Sequence, residues 1–88
     1  MVYQVIVKPS VRKAIRRLDR ATQAKMIRLL EALAREPRPV GVVKLVGDDN
    51  LWRVRIGDYR VVYEIHDRRL IVMVVRVAHR KDVYREGT

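Results

Sequence analysis

Two alternating segments on either side of Gly57-Asp58 constrain the fold of this chain more than any other feature. Residues 51–56 and 59–66 alternate between large apolar and polar side chains, which is the period of a strand with one covered face. A Gly-Asp pair between two such segments is typical of the two-residue turn of a β-hairpin. Because the strands pair outward from that turn, the sequence predicts the register of the hairpin residue by residue.

The predicted register has one apolar face and one basic face. Six large side chains share the apolar face, which should pack beneath helices: Trp52, Val54, Ile56, Tyr59, Val61 and Tyr63. On the other face Arg55 lies opposite Arg60, and Arg53 follows on the same strand. Like charges opposite one another are destabilising, and a bound anion would relieve that repulsion. Arginine suits phosphate oxygens, so the three arginines are a candidate anion site; the alternative is the ordinary solvated face of an amphipathic hairpin.

The segments before the hairpin predict a strand followed by two helices. Residues 2–7 are rich in β-branched side chains and stop before Pro9, as a strand would. Apolar residues recur at the spacing of one helix face in two stretches: Val11, Ala14, Ile15 and Leu18, then Met26, Leu29, Leu30 and Leu33. Asp19 is the expected N-cap of the second helix, and Pro37 and Pro39 end it.

The remaining segments complete an α+β domain. Residues 42–46 predict a short strand, residues 47–50 a turn, and residues 70–77 a nearly all-apolar central strand. The elements follow one another in the order β-α-α-β-β-β, so we expect an antiparallel sheet with an N-terminal helical hairpin packed on one face. With 88 residues and no linker composition, residues 1–88 are predicted to form a single domain.

Charge and cysteine content narrow the classes of function. The formal net charge of +10 favours a polyanionic partner; nucleic acid leads, with an anionic membrane surface or an acidic protein as alternatives. The chain has no cysteine, so thiol catalysis and disulfides are excluded, and a cytoplasmic location is expected. The sequence predicts neither a signal peptide nor a membrane span. His66 and His79 lack metal-site spacing and no Gly-rich phosphate loop is found, so neither a metal nor another cofactor is expected.

A run of basic and protonatable residues, 79–84, follows the apolar strand. His79 can exchange a proton near neutral pH, and Tyr84 can stack on a base or assist proton transfer. Arg80 and Lys81 add positive charge beside them. The same residues are equally compatible with a basic tail that has no catalytic role.

Three stretches of the sequence resemble the RelE family of the RelE/ParE toxin–antitoxin superfamily. They are residues 51–65 (LWRVRIGDYRVVYEI), residues 77–84 (VAHRKDVY), and the lead-in of Lys44-Leu45 followed by Gly47. The resemblance implies a ribosome-dependent endoribonuclease that cleaves messenger RNA in the A site. In this family the ribose 2′-hydroxyl attacks the adjacent phosphate without a metal ion, and a cognate RelB-like antitoxin blocks the toxin.

The resemblance also implies a role for each of five residues. Arg53 and Arg55 occupy the paired basic positions of the strand, and Arg60 is the arginine that follows the hairpin tyrosine. Arg80 occupies the basic position after the last strand, where it would stabilise charge or protonate the leaving oxygen. Tyr84 matches the C-terminal tyrosine that stacks on the target base or helps to remove the 2′-proton.

One departure from the family affects the chemistry. Its best-known branch has lysines at the paired strand positions, whereas Arg53 and Arg55 effectively cannot give up a proton. They suit phosphate binding and electrostatic stabilisation, with Lys81 as a further RNA-binding residue. His79 is then the natural general base and Tyr84 the second candidate; the sequence does not decide between them.

Two other functions are compatible with the same fold. ParE-like relatives bind and inhibit DNA gyrase without cleaving RNA. The clustered basic residues and the terminal tyrosine argue against that function, because a pure binder does not need them. A degenerate toxin that only binds RNA or an antitoxin is the third hypothesis, since no general base is obvious.

Overall fold

The computed structural model describes residues 2–47 and 50–81. These residues form the helices and strands that the spacing of their apolar side chains predicts. Within them, two helices and five strands follow one another: β1 (Gln4–Val7), α1 (Pro9–Arg16), α2 (Arg20–Arg35), β2 (Val43–Lys44), β3 (Leu51–Ile56), β4 (Tyr59–His66) and β5 (Ile71–His79). The helices pack on one face of a five-stranded sheet, so the α+β class is confirmed. In this part of the chain no helix is long and apolar enough to cross a membrane.

Local chemistry sets the ends of both helices. α1 begins at Pro9, whose fixed φ suits a first helical turn and whose missing N–H is not needed there. Asp19 caps α2 as predicted, because its carboxylate accepts hydrogen bonds from the Thr22 backbone N–H at 3.2 Å and hydroxyl at 2.6 Å. The same bonds lower the pKa of Asp19. α2 ends at Arg35, and its C-cap, Glu36, is extended, as expected of a residue that precedes Pro37.

The sheet has the strand order β1-β5-β4-β3-β2, so β5 lies between two neighbours, as its apolar sequence predicts. β2 to β5 are antiparallel, but β1 pairs with β5 in parallel, with Gln4 opposite Ile71. The prediction of an entirely antiparallel sheet is therefore corrected. A hairpin forces two strands to run in opposite directions, whereas β1 and β5 are separated by the helices and three other strands, so no turn sets their relative direction.

The β3–β4 hairpin has the predicted register. Ile56 pairs with Tyr59 and Arg55 with Arg60, on either side of the two-residue loop. Gly57 in that loop has a φ of 60°, in the left-handed region that glycine enters without steric cost. The apolar face of the hairpin is buried against the helices in a core that includes these residues: Val54, Val61, Tyr63, Val11, Met26 and Leu33.

A β-bulge interrupts the alternation of β5. Tyr63 pairs with Val74, but the residue before it, Val62, pairs with Arg76, which leaves Val75 as an extra residue in β5. Val74 is buried in the core. Uninterrupted alternation would direct Arg76 into the same core, where an unpaired guanidinium is costly. The bulge instead places Arg76 on the opposite face of the sheet.

Tyr63 ties the segment after α2 to the core. Its side chain is fully buried, and its hydroxyl donates a hydrogen bond to the Pro37 carbonyl at 2.7 Å. Burial raises the pKa of Tyr63 to about 12, so the hydroxyl stays protonated and remains a donor at neutral pH.

Asp67, in the turn after β4, binds two side chains that are distant in the sequence. Arg38 donates to both of its carboxylate oxygens, at 2.9 and 3.3 Å, and the Tyr3 hydroxyl donates at 2.6 Å. The Arg38 guanidinium also lies 4.8 Å from the centroid of the Trp52 ring. The hydrogen bonds from Arg38 and Tyr3 lower the pKa of Asp67, so the folded state favours its charged form.

Replacing Tyr63 by phenylalanine should lower the free energy of unfolding by about 1–3 kcal/mol, because the buried Pro37 carbonyl would lose its partner. Urea denaturation should show a lower midpoint with an unchanged slope. Tyr59→Phe is the matched control, since its ring is only half-buried, and it should change the midpoint less. Equal stability of Tyr63→Phe and the wild type would contradict this role for the hydroxyl.

Asp67→Asn should flatten the acid side of the stability profile. Because the pKa of Asp67 is lower in the folded state, its contribution is complete above its ordinary pKa of 3.8 and is lost as the pH falls through the folded value. Melting temperatures measured from neutral pH to about pH 2 should therefore fall less steeply for the variant. Arg38→Gln removes the same pair and should give a similar profile. Superimposable acid limbs for Asp67→Asn and the wild type would refute this explanation.

Candidate nucleic-acid interface

The face of β3, β4 and β5 that points away from the helices is called the arginine face here. Four arginines share it: Arg53, Arg55, Arg60 and Arg76. The pairing arranges them in two rows. In the first row Arg55 lies opposite Arg60, which lies opposite Ala78; in the second, Arg53 and Arg76 lie on either side of Val62. The rows are about 7 Å apart and neighbouring strands about 4.8 Å apart, as sheet geometry dictates.

A local contact orients Arg55 toward the hairpin loop, and Arg60 beside it is partly shielded from solvent. The Arg55 Nε donates a hydrogen bond to the Gly57 carbonyl at 3.0 Å, although the side chain as a whole is exposed. Arg60 is half-buried, and its Nη1 atom is shielded from solvent. A guanidinium that is partly removed from water interacts more strongly with a bound anion than a fully hydrated one does.

Positive charge predominates on the arginine face. Among the described residues of β3 to β5, Glu64 is the acidic side chain on this face, one row beyond Arg53 and Arg76. Its Oε1 lies 2.9 Å from the Nε2 of His66. His66 is the last residue of β4, in agreement with the strand predicted over residues 59–66. Four guanidinium groups beside one carboxylate form a surface suited to a polyanion.

Arg80 lies at the same end of the sheet as the first row. Its backbone N–H donates to the Asp58 carbonyl at 2.8 Å, and its Nε is 4.0 Å from the Asp58 carboxylate. The side chain of Arg80 is therefore beside the loop that also orients Arg55. Lys81 follows it and is exposed. The predicted site residue Tyr84 lies outside the described residues.

His79 is not brought together with the arginines. It pairs with Tyr59, and the two rings meet edge to face with their centroids 5.2 Å apart. Tyr59 belongs to the helix-covered side of the sheet, so His79 points to the side opposite the arginine face. Its Nδ1 accepts a hydrogen bond from the Lys81 backbone N–H at 3.3 Å, which leaves the proton of a neutral ring on Nε2. This geometry does not support His79 as the general base for a phosphate held by the arginines.

Sequence reasoning missed Arg76. It treated residues 70–77 as one apolar strand and did not place the single charged residue within it. An arginine surrounded by valines cannot remain on a covered face without a partner, and that conflict was the available signal for a bulge. No group of three potential His, Asp or Glu metal ligands occurs among residues 2–47 and 50–81.

Comparison with known proteins identifies the family. The model of the family described as "ParE toxin of type II toxin-antitoxin system, parDE" matches residues 5–84. The toxin RelG of Mycobacterium tuberculosis is 40% identical over 53 residues, which cover 60% of this chain and 61% of RelG. A putative RelE-like toxin protein of Escherichia coli is 31% identical over 87 residues, which cover 96% of this chain and 92% of that protein.

A solved structure has the same fold. The crystal structure of the archaeal RelE–RelB complex from Pyrococcus horikoshii contains a chain that superposes with a TM-score of 0.83 at 30% identity. The superposition covers 91% of this chain and 97% of that one. Together with the family match, these relatives show that the chain belongs to the RelE/ParE toxins of type II toxin–antitoxin systems and is a RelE-like toxin.

Proposed function

We propose that this toxin is a ribosome-dependent endoribonuclease that cleaves messenger RNA in the A site by metal-independent attack of a ribose 2′-hydroxyl. The observation that carries the proposal is the first row of the arginine face, where Arg55 and Arg60 are directly opposite each other. Two opposed guanidinium groups are stabilised when an anion lies between them. A phosphate of the RNA backbone has the charge and the oxygen geometry for that position.

The proposed reaction makes one bond to phosphorus and breaks another. The 2′-oxygen attacks the adjacent phosphorus, the bond to the 5′-oxygen breaks, and the products are a 2′,3′-cyclic phosphate and a 5′-hydroxyl. The 2′-proton passes to a base, and the leaving 5′-oxygen takes a proton from water. Negative charge grows on the phosphate oxygens in the transition state, and Arg55 and Arg60 would stabilise it without giving up a proton themselves.

Arg80 and Tyr84 have separate proposed tasks. Arg80 lies beside the hairpin loop, next to the first row, and is proposed to stabilise charge on the leaving oxygen. Lys81, which is exposed, would bind the RNA backbone farther out. Because His79 points to the other side of the sheet, Tyr84 becomes the proposed acceptor of the 2′-proton; this assignment rests on the resemblance to RelE toxins.

The proposed partners are a cognate RelB-like antitoxin, the ribosome and messenger RNA. The RelE of Pyrococcus horikoshii was solved in a complex with RelB, and the net charge of +10 would favour an acidic antitoxin segment. A toxin that acts on translating ribosomes would work in the cytoplasm.

One observation favours a second candidate function, the inhibition of DNA gyrase without RNA cleavage. The family model that matches residues 5–84 carries the name of the ParE toxins. The two candidate functions differ in what they require of the arginine face. Cleavage needs positive charge at one phosphate, whereas inhibition of gyrase does not.

Arg60→Gln should reduce cleavage of ribosome-bound messages about 100- to 1,000-fold, the usual loss for one donor to a developing oxyanion. The measurement is the mapping of 5′ ends after brief induction, where the wild type should produce cuts in A-site codons. Arg80→Gln should also reduce them. Arg68→Gln, an equal loss of charge at an exposed turn away from the arginine face, is the matched control and should cleave normally.

Other outcomes would identify another function. Intact messages together with inhibition of DNA supercoiling would favour the gyrase inhibitor. Intact messages without inhibition of gyrase would indicate a degenerate module that binds RNA or antitoxin only. Wild-type cleavage by both Arg60→Gln and Arg80→Gln, with normal melting temperatures, would refute the proposed site.

A further inference from the structure

We propose that Arg53 and Arg76 form a second phosphate-binding row, so that the sheet holds two consecutive phosphates of one RNA strand. The first phosphate would lie on Arg55 and Arg60, and the second above Val62. The inference rests on the proposed function only for the choice of RNA as the anion. It extends the site to a residue, Arg76, to which neither the sequence nor the family resemblance assigned a role.

The geometry of the second row fits one phosphate. Arg53 and Arg76 pair with Val62 from its two sides, so their backbones are about 9.6 Å apart, two strand spacings. Val62 is short and uncharged, which leaves space between the two longer side chains. Both arginines are half-buried, and the aliphatic stem of a half-buried arginine packs on apolar surface. Two guanidinium groups that converge on one phosphate form the charge-assisted pairing at which arginine excels.

Three features of the neighbouring strands delimit this row. The bulge at Val75 places Arg76 on the arginine face rather than in the core. β1 ends at Val7, which pairs with Val74, so β1 does not extend beside Arg76. One row farther along β4 lies Glu64, whose carboxylate would repel a third phosphate. The positive surface therefore extends over two rows, and its length matches two phosphates rather than a long duplex.

Binding to a non-cleavable RNA analogue tests the second row. The probe is a fluorescent 2′-O-methyl oligoribonucleotide, whose blocked hydroxyl cannot attack, and anisotropy is measured with the full-length toxin over a range of salt concentrations. Arg76→Gln should weaken binding roughly tenfold at low salt, the usual loss for one charged hydrogen-bonding partner. The slope of log affinity against log salt should become shallower by about 0.7, which corresponds to one fewer phosphate contact on a single strand. Arg68→Gln is the matched control and should leave both quantities near the wild-type values.

A set of oligonucleotides, each with one linkage made neutral as a methylphosphonate, locates the contact. At one linkage the neutral group should weaken binding of the wild type but not of Arg76→Gln, because the contact is already lost. Arg53→Gln should be insensitive to the same linkage, and Arg60→Gln to the adjacent one. The double variant of Arg53 and Arg76 should lose less affinity than the two single losses combined, since both side chains share one phosphate.

The proposal is wrong if Arg76→Gln loses no more affinity for the oligonucleotide than Arg68→Gln does. It is also wrong if the affinity lost in Arg76→Gln is spread over all linkages. It is also wrong if the wild type does not bind the oligonucleotide. A lower melting temperature of Arg76→Gln with unchanged affinity would instead indicate a structural role, for example toward Glu64. Linkage-specific loss in a toxin that produces no A-site cuts would support the second row while refuting the proposed nuclease activity.

Discussion

The antiparallel pairing of β3 with β4 determines where the core and the charged surface of this toxin lie. Pairing from Gly57-Asp58 directs Val54 and Val61 to the helices and Arg55 and Arg60 away from them. Burying a valine side chain contributes about 1.5–3 kcal/mol, whereas two like charges opposite one another cost about 0.2–1 kcal/mol. The apolar face can therefore hold the two arginines together in the absence of a ligand. The repulsion that remains is available to favour anion binding.

The separation of the hairpin into an apolar face and a charged face explains why the site needs little support from the helices. The positions of Arg53, Arg55 and Arg60 follow from strand pairing, which is rigid, and not from a long loop. Hydrogen bonds from the Arg55 side chain to Gly57 and from the Arg80 backbone to Asp58 then orient the loop end of the sheet. A proposed phosphate site built on strands in this way is preorganised, because no segment must become ordered before the charges are in place.

How far the sequence could predict this structure depended on the range of the interaction. The helix cap at Asp19 and the hairpin register are local, since a few adjacent residues determine them, and both predictions were confirmed. The parallel pairing of β1 with β5 joins residues that are far apart in the chain, so no turn sequence predicts it. The bulge at Val75 had one sequence signal, the charge of Arg76 between two valines, but that signal does not say where in the strand the extra residue lies.

The placements of His79 and Arg76, which the sequence did not predict, have the same origin. His79 was proposed as a base from its chemistry alone, and no local pattern showed that it would share a face with Tyr59. Arg76 was overlooked because a strand with regular alternation would direct it to the same face as Val74, which is in the core. One extra residue in β5 accounts for both. It reverses the alternation beyond Val75.

Membership in the RelE/ParE toxins leaves the reaction open, since one fold supports different functions through the residues placed on it. The distinction between a nuclease and a gyrase inhibitor is therefore sought on the arginine face. Arg55 and Arg60 place two like charges directly opposite each other in adjacent strands, which is destabilising in the absence of an anion. The repulsion between the two guanidinium groups lowers the stability of the fold, and a bound phosphate would remove that repulsion. Arg60 strengthens the case, because a partly buried guanidinium is poorly placed to serve as solvated rim charge and well placed to stabilise a transition state.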